Sequence, residues 1–242
     1  MLKTSFYSFF FVILFSYLSF AQMPDKFTNL QVFPKDISKE ELGGIMRSFT
    51  GALGVRCSFC HVEVEGQPND FASDLKSAKQ KARIMIKMTG DINNKYLSDL
   101  KEFSDNVLEV KCVTCHRGVH EPEPLDEILF KVVKRKGLEE AISTYHDLYD
   151  KYYGGFSYDF KDQSLIALSR KLTDEKMYDE AIAFSNINLE KYPKSGGAYL
   201  GLAQAYEGKG DIENAITNYK KAEEFMPWAG FIKKKLEELQ KQ

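Results

Sequence analysis

Cys57-Ser58-Phe59-Cys60-His61 and Cys112-Val113-Thr114-Cys115-His116 repeat one pattern, C-x-x-C-H, and together hold all four cysteines of the chain. This is the attachment signature of c-type haem. The short spacing brings both thiols to the vinyl groups on one edge of a porphyrin, and the next residue supplies an imidazole beneath the iron. Cys57, Cys60, Cys112 and Cys115 are therefore the expected attachment points of two covalently bound haem c groups, with His61 and His116 as proximal iron ligands. A structural zinc site would need four ligands in one tetrahedron and has no use for a histidine directly after each pair. A redox dithiol would need an alternating strand and helix pattern, which is lacking.

Each iron also needs a ligand on its opposite face. Only His120 and His146 remain among the histidines, so bis-histidine ligation of both haems would consume every one. Methionine suits the task better, because its soft thioether binds haem iron and raises the reduction potential. Ser38-Lys39-Glu40-Glu41 has the form of a capping box that opens a helix. Leu42, Ile45, Met46, Phe49 and Leu53 then recur at helical spacing. Met46 falls on the apolar face, and Gly54 offers a chain reversal before Cys57. For the second haem Met85 and Met88 compete. A helix capped by Ser73 or Asp74 would carry the stripe Leu75, Ala78, Ala82 and Met85. Met88 sits about 60° off that line at ~100° per residue, so periodicity prefers Met85. Arg117 is a candidate partner for a haem propionate, and His120 an alternative distal ligand.

The N-terminus reads Met1-Leu2-Lys3, an apolar stretch from Phe9 to Phe20, and the small-x-small end Ser19-Phe20-Ala21. This is the pattern of a secretory signal peptide, residues 1–21. The uninterrupted apolar run is shorter than the ~20 residues of a spanning helix, which favours removal over anchoring. Export agrees with the boxes, since the c-type cytochromes they resemble acquire haem outside the bacterial cytoplasmic membrane. A periplasmic location is expected. The formal net charge is -2, and such a mixed, mildly acidic surface carries no argument for nucleic acid or an anionic membrane. With every cysteine in a box, no disulfide framework is left.

Glu121-Pro122-Glu123-Pro124 is a stiff, polar break. It separates an expected dihaem domain, 24–124, from a second region, 125–242, that repeats itself. Asp179-Glu180-Ala181-Ile182 returns as Glu213-Asn214-Ala215-Ile216, and Tyr192-Pro193 as Met226-Pro227, both 34 residues on (215 minus 181). An earlier copy, Glu139-Glu140-Ala141-Ile142, lies 40 residues before the first (181 minus 141), with Tyr152 to Phe160 as the insertion. This period resembles the tetratricopeptide repeat, with about three copies and a capping helix near Ala229–Leu239. Strand signals are weak throughout, so the expected fold class is all-α: a dihaem unit followed by an array of helical hairpins.

From Asn29-Leu30-Gln31-Val32 through Cys112 to Gly118 the chain resembles the cytochrome c subunit of photosynthetic reaction centres. Three segments carry the likeness besides the boxes: Ile45-Met46 to Leu53-Gly54-Val55-Arg56-Cys57, then Phe71-Ala72-Ser73-Asp74, and Ala82-Arg83-Ile84-Met85 to Asp91-Ile92-Asn93. The resemblance implies that a helical methionine before each box is the sixth ligand, Met46 and Met85 here. That family's tetrahaem protein contains two such dihaem units. This chain has one, lacks the lipid-anchoring cysteine and adds the helical repeats, so a photosynthetic role does not carry over.

The expected function is exported electron transfer through two His/Met-ligated haems, without enzymatic catalysis and without a small-molecule substrate. The boxes lie 55 residues apart (112 minus 57), close enough for electrons to pass between haems. Expected partners are redox proteins, membrane-associated, and a protein ligand of the helical repeats. Two rivals stand beside this reading. One is a dihaem peroxidase-like enzyme with one open iron; the other is a repeat scaffold with an accessory redox unit.

Overall fold

Ser38 opens the first helix through its side chain: Ser38 Oγ accepts from Glu41 N–H at 3.1 Å, with Glu40 and Glu41 in the first turn where the helix dipole favours negative charge. A computed structural model describes residues 24, 26–65 and 67–241; the expected signal peptide, 1–21, lies outside them. Helix α1 spans Lys39–Leu53. A hairpin follows, β1 Val62–Val64 and β2 Gln67–Asp70, then α2 Ser77–Asp91 and the short α3 Cys112–His116. The remaining helices are α4 Leu125–Lys136, α5 Leu138–Tyr152, α6 Asp162–Asp174, α7 Tyr178–Lys191, α8 Gly196–Lys209, α9 Ile212–Phe225 and α10 Gly230–Leu239.

The all-α expectation holds, with the antiparallel hairpin as an addition. Val62 pairs with Asp70 and Val64 with Gln67, with an irregularity in register between them. Three- and four-residue strands are too short to leave an alternation readable against background.

The chain packs as two compact units, one of residues up to 51 together with 55–112, the other of 52–54 and the residues from 113 onward. The first contains α1 to Gly51, the hairpin and α2. Helix α2 starts at Ser77, not at the cap expected from Ser73 or Asp74, and its N-cap residue Lys76 makes no side-chain cap. The Asp74 carboxylate is engaged elsewhere. It pairs with Arg83 at 2.9 Å and Lys79 at 3.1 Å, and accepts from Asn29 Nδ2 at 3.0 Å and Gln31 Nε2 at 3.2 Å. Ser73 Oγ accepts from Leu75 N–H instead, at 3.3 Å. Asp74 thus ties the 29–31 segment to the first two turns of α2. Beyond α2 the chain widens into a π-helical turn, Ile92–Leu97. There Asn93 donates to the Val110 carbonyl and accepts from its N–H, both at 2.8 Å. A side-chain amide here takes the place of a strand partner, two residues before Cys112.

The second unit buries two apolar clusters. In one, Leu125, Leu129 and Val133 line one face of α4 and meet Ala141 and Tyr145 of α5 and Leu165, Leu168 and Leu172 of α6. In the other, Ala203, Ala215, Tyr219, Ala222, Ile232 and Leu236 join α8, α9 and α10. Helix starts recur every 34 residues: Asp162, Gly196 and Gly230 form one series (196 minus 162, 230 minus 196), Tyr178 and Ile212 the other (212 minus 178). The backbones approach closely at Gly201 of α8. A Cβ there would lie 2.8 Å from Ser169 Oγ and 3.0 Å from Ser185 Oγ. Those two hydroxyls are buried and bonded to each other at 2.7 Å.

Two outcomes follow for stability. Gly201→Ala gains about 1 kcal/mol of helix propensity but overpacks a serine pair with no room to move, which costs about 1–3 kcal/mol. The urea midpoint of the helical array should therefore fall, and Ser185→Ala in the same background should recover part of the loss. A midpoint that rises in Gly201→Ala alone contradicts this packing. The second outcome concerns acid. Arg83 above all, then Asn29 and Lys79, hold the Asp74 carboxyl far below the usual carboxylate range. A depressed folded-state pKa stabilises above the unfolded value of ~3.9 and loses that contribution as pH falls further. The difference in unfolding midpoint between wild type and Asp74→Asn should stay constant down to about pH 5 and shrink below about pH 4. A difference that grows on acidification contradicts it.

Candidate haem-attachment sites

Box 1 folds as a tight turn. Cys57–Phe59 is 3-10 helical, and the Cys57 carbonyl accepts from the N–H groups of Cys60 at 3.2 Å and His61 at 3.0 Å. Box 2 is the helix α3 itself, which sets Cys112, Cys115 and His116 at i, i+3 and i+4 on one face. The same five-residue pattern therefore folds as two slightly different turns. None of the four cysteines is in a disulfide; Cys57 and Cys115 are exposed and Cys60 and Cys112 half-buried. Burial pushes the Cys60 thiol up, with Lys76 and Lys79 pulling against it. A redox dithiol needs the opposite shift. Among the described residues no three His, Cys, Asp or Glu side chains gather as a metal-holding group.

The two imidazoles are held differently. His116 is buried, and its Nδ1 lies 3.0 Å from the Val119 carbonyl. A carbonyl only accepts, so Nδ1 carries the proton and Nε2 is left with its lone pair, the tautomer that a metal-binding histidine needs. His61 is half-buried, its ring edge-on to Phe71 at 4.9 Å and 63°. Its Nδ1 is buried without a hydrogen-bond partner. Burial lowers its pKa, Lys79 and Lys76 add to the shift, and Asp70 and the Phe71 backbone oppose it. The neutral ring that results is the form a metal binds.

The upstream methionines lie on helices α1 and α2. Met46 is half-buried on α1. Met85 and Met88 are both on α2 and both more than a third exposed, at 38 % and 43 %. Arg117 takes a positive φ of 50° just after α3; its Nε donates to the Thr114 carbonyl at 3.4 Å, and its own carbonyl accepts from Ser157 Oγ at 2.7 Å. His120 and His146 are exposed.

Gly54 and Gly118, both in the second unit, make the closest backbone approach around the boxes. Gly54 has φ +66°, and a Cβ on it would lie 2.0 Å from the Gly118 carbonyl oxygen. Gly118 N–H donates to the Ala52 carbonyl at 2.8 Å. The segment leading into box 1 and the segment leaving box 2 thus meet at two glycines: a side chain on Gly54 would part them, and Gly118 takes a φ of +89° that favours glycine.

A haem needs thiols free for attachment, a neutral imidazole and apolar side chains to cover its faces, and the residues present fit it. In the first unit the apolar side chains are turned outward: Leu75 and Leu108 are 86 % exposed, and Ile84, Tyr96 and Phe103 are also largely exposed. Each forgoes about 1.5–3 kcal/mol of burial, which a large flat apolar group would supply. Periodicity did not single out Lys79, Phe71 or Asn93. Lys79 carried a signal all the same, because it sits four residues after Leu75 and three before Ala82, on the apolar stripe where a lysine is out of place.

Residues 21–144 match the model of the photosynthetic reaction centre cytochrome c subunit family. Among known proteins, the chain is 34% identical over 116 residues to the photosynthetic reaction center cytochrome c subunit of Rubrivivax gelatinosus, covering 39% of this chain and 30% of the relative. It is 32% identical over 98 residues to cytochrome c-554 of Chloroflexus aurantiacus, covering 37% and 22%. The corresponding subunit of Roseobacter denitrificans is 31% identical over 110 residues, covering 45% and 28%. The chain thus spans less than a third of the length of these curated relatives. Helices α6 to α10 lie outside the family match. That match takes in just over half of the chain and includes both attachment boxes, so the chain belongs to the photosynthetic reaction centre cytochrome c subunit family.

Proposed function

We propose that this chain is an exported dihaem c-type cytochrome that carries electrons between protein partners by outer-sphere transfer. The observation that carries the reading is the pair of boxes, each a single helical turn bearing two unbridged cysteines and followed or ended by a histidine. Membership of a cytochrome c family brings covalently bound haem c with it; a count of two, one per box, is the proposal. Bound haem supplies the one-electron couple, and the protein sets its potential, spacing and docking. His61 and Met46 hold one iron, His116 and Met85 the other. Two protein ligands per iron would leave no open site for oxygen or peroxide, and the reading is of a carrier and not an enzyme.

The haem-bearing domain is taken as 24–124 and the rest, 125–242, as a tetratricopeptide-like array that docks a protein partner. The 34-residue recurrence of helix starts supports that reading, since stacked helical hairpins present an extended surface for a ligand. Residues 1–21 act as the export signal, which puts the protein in the periplasm. No helix among the described residues is long and apolar enough to cross a membrane. Redox partners in membrane complexes are the expected electron donors and acceptors.

Spectra of the holoprotein test the ligation. Met46→Ala and Met85→Ala should each convert one of the two haems from low to high spin, lower its potential and open it to carbon monoxide in the ferrous state. The wild type should take up carbon monoxide slowly or not at all. Met88→Ala should leave both haems low-spin. If Met88→Ala produces the high-spin haem and Met85→Ala does not, the second ligand is Met88. If neither Met46→Ala nor Met85→Ala changes the spectrum, the ligand scheme is wrong. Haem staining with a mass measurement gives the count, and a single haem per chain contradicts the dihaem reading.

A further inference from the structure

Lys79 is a buried charge that the ligand scheme leaves without a role. Its side chain on α2 is almost wholly removed from water, a placement lysine tolerates only when well paired. Its Nζ donates to three successive carbonyls, Phe71 at 2.9 Å, Ala72 at 3.0 Å and Ser73 at 2.8 Å, matching the donor capacity of an ammonium group. Asp74, which continues the same loop, supplies the counter-charge and shares it with Arg83. One turn earlier, Lys76 donates to the carbonyl of Ser58, inside box 1.

These contacts converge on His61. The loop that Lys79 gathers carries Phe71, whose ring abuts the imidazole. Lys76, Lys79 and Arg83 against Asp74 and Asp70, whose carboxylate accepts from the Ala72 and Ser73 N–H groups, still leave an excess of positive charge beside box 1. A charge held in a low-dielectric site is screened far less than one in water.

We propose that Lys79 is a positioning residue for His61, and that its buried charge, held by the 71–73 carbonyls and Asp74, raises the reduction potential of the haem on box 1. This rests on the reading that box 1 carries a His61-ligated haem. Reduction adds one electron to the iron, so a nearby cation favours the ferrous state. Removing the cation lowers the potential, and removing its counter-ion raises it.

The test is a spectroelectrochemical titration of the full-length holoprotein, with the box 1 haem assigned as the one lost when Cys57 and Cys60 are both replaced by serine. Lys79→Met should lower the ferrous-to-ferric ratio of that haem roughly tenfold at fixed poise, about 59 mV for one electron. Lys79→Arg, which keeps the charge, should stay near wild type. Asp74→Asn should move the same potential upward, and it carries the test if Lys79→Met does not fold. A merely structural lysine gives shifts of one sign in both variants, or lower melting temperatures with unmoved potentials, and either result overturns the proposal. A wild-type peptide spanning Cys57 and Cys60 that lacks the mass of haem overturns the ligation reading and the proposal with it. A loaded peptide with unmoved potentials overturns the proposal alone.

Discussion

Ordering a chain costs conformational entropy that burial of apolar surface has to offset, and the two units of this protein meet that demand in different ways. The second unit does so conventionally, with buried leucines, alanines and aromatics running from α4 to α10. Among the described residues of the first unit, Leu42 is the one large apolar side chain that is buried. Leu75, Ile84, Phe103 and Leu108 are largely exposed. On the proposed function, a porphyrin attached at Cys57 and Cys60 supplies the missing part of that core, so that cofactor binding and folding of the first unit become one process.

A unit with so little apolar packing needs other means to place its ligands, and polar contacts supply them. Asp74 gathers Asn29, Gln31, Lys79 and Arg83. Asn93 holds Val110 by two hydrogen bonds just before box 2. Val119 orients His116 through its carbonyl. Each contact fixes backbone close to a thiol or an imidazole, and a buried polar group left without its partner costs about 1–3 kcal/mol. Such a scaffold specifies geometry more than it supplies stability.

Local signals were legible in the sequence and non-local ones were not. The Ser38 cap, the glycine turn at Gly54 and the 34-residue recurrence depend on neighbours within one or two turns, and the helices start accordingly. Ser73 and Asp74 looked like a helix cap because short polar residues before an apolar stripe usually are one. Asp74 instead answers Lys79, Arg83 and Asn29, the last 45 residues away. The Asn93–Val110 clamp spans 17 residues and has no sequence signature of its own. The proposed attachment residues stand out because covalent chemistry dictates their spacing, whereas the residues packed around them answer only to the folded geometry.

Hydrogen exchange followed by mass spectrometry, on the holoprotein and on a variant with Cys57, Cys60, Cys112 and Cys115 all replaced by serine, tests the central claim most directly. Amide protection reports local unfolding free energy segment by segment. If the porphyrin completes the core of the first unit, the variant loses protection in α1 and α2 and keeps it from α4 to α10. Equal protection of α1 and α2 in both proteins would mean that the first unit folds on its own, and would contradict the account.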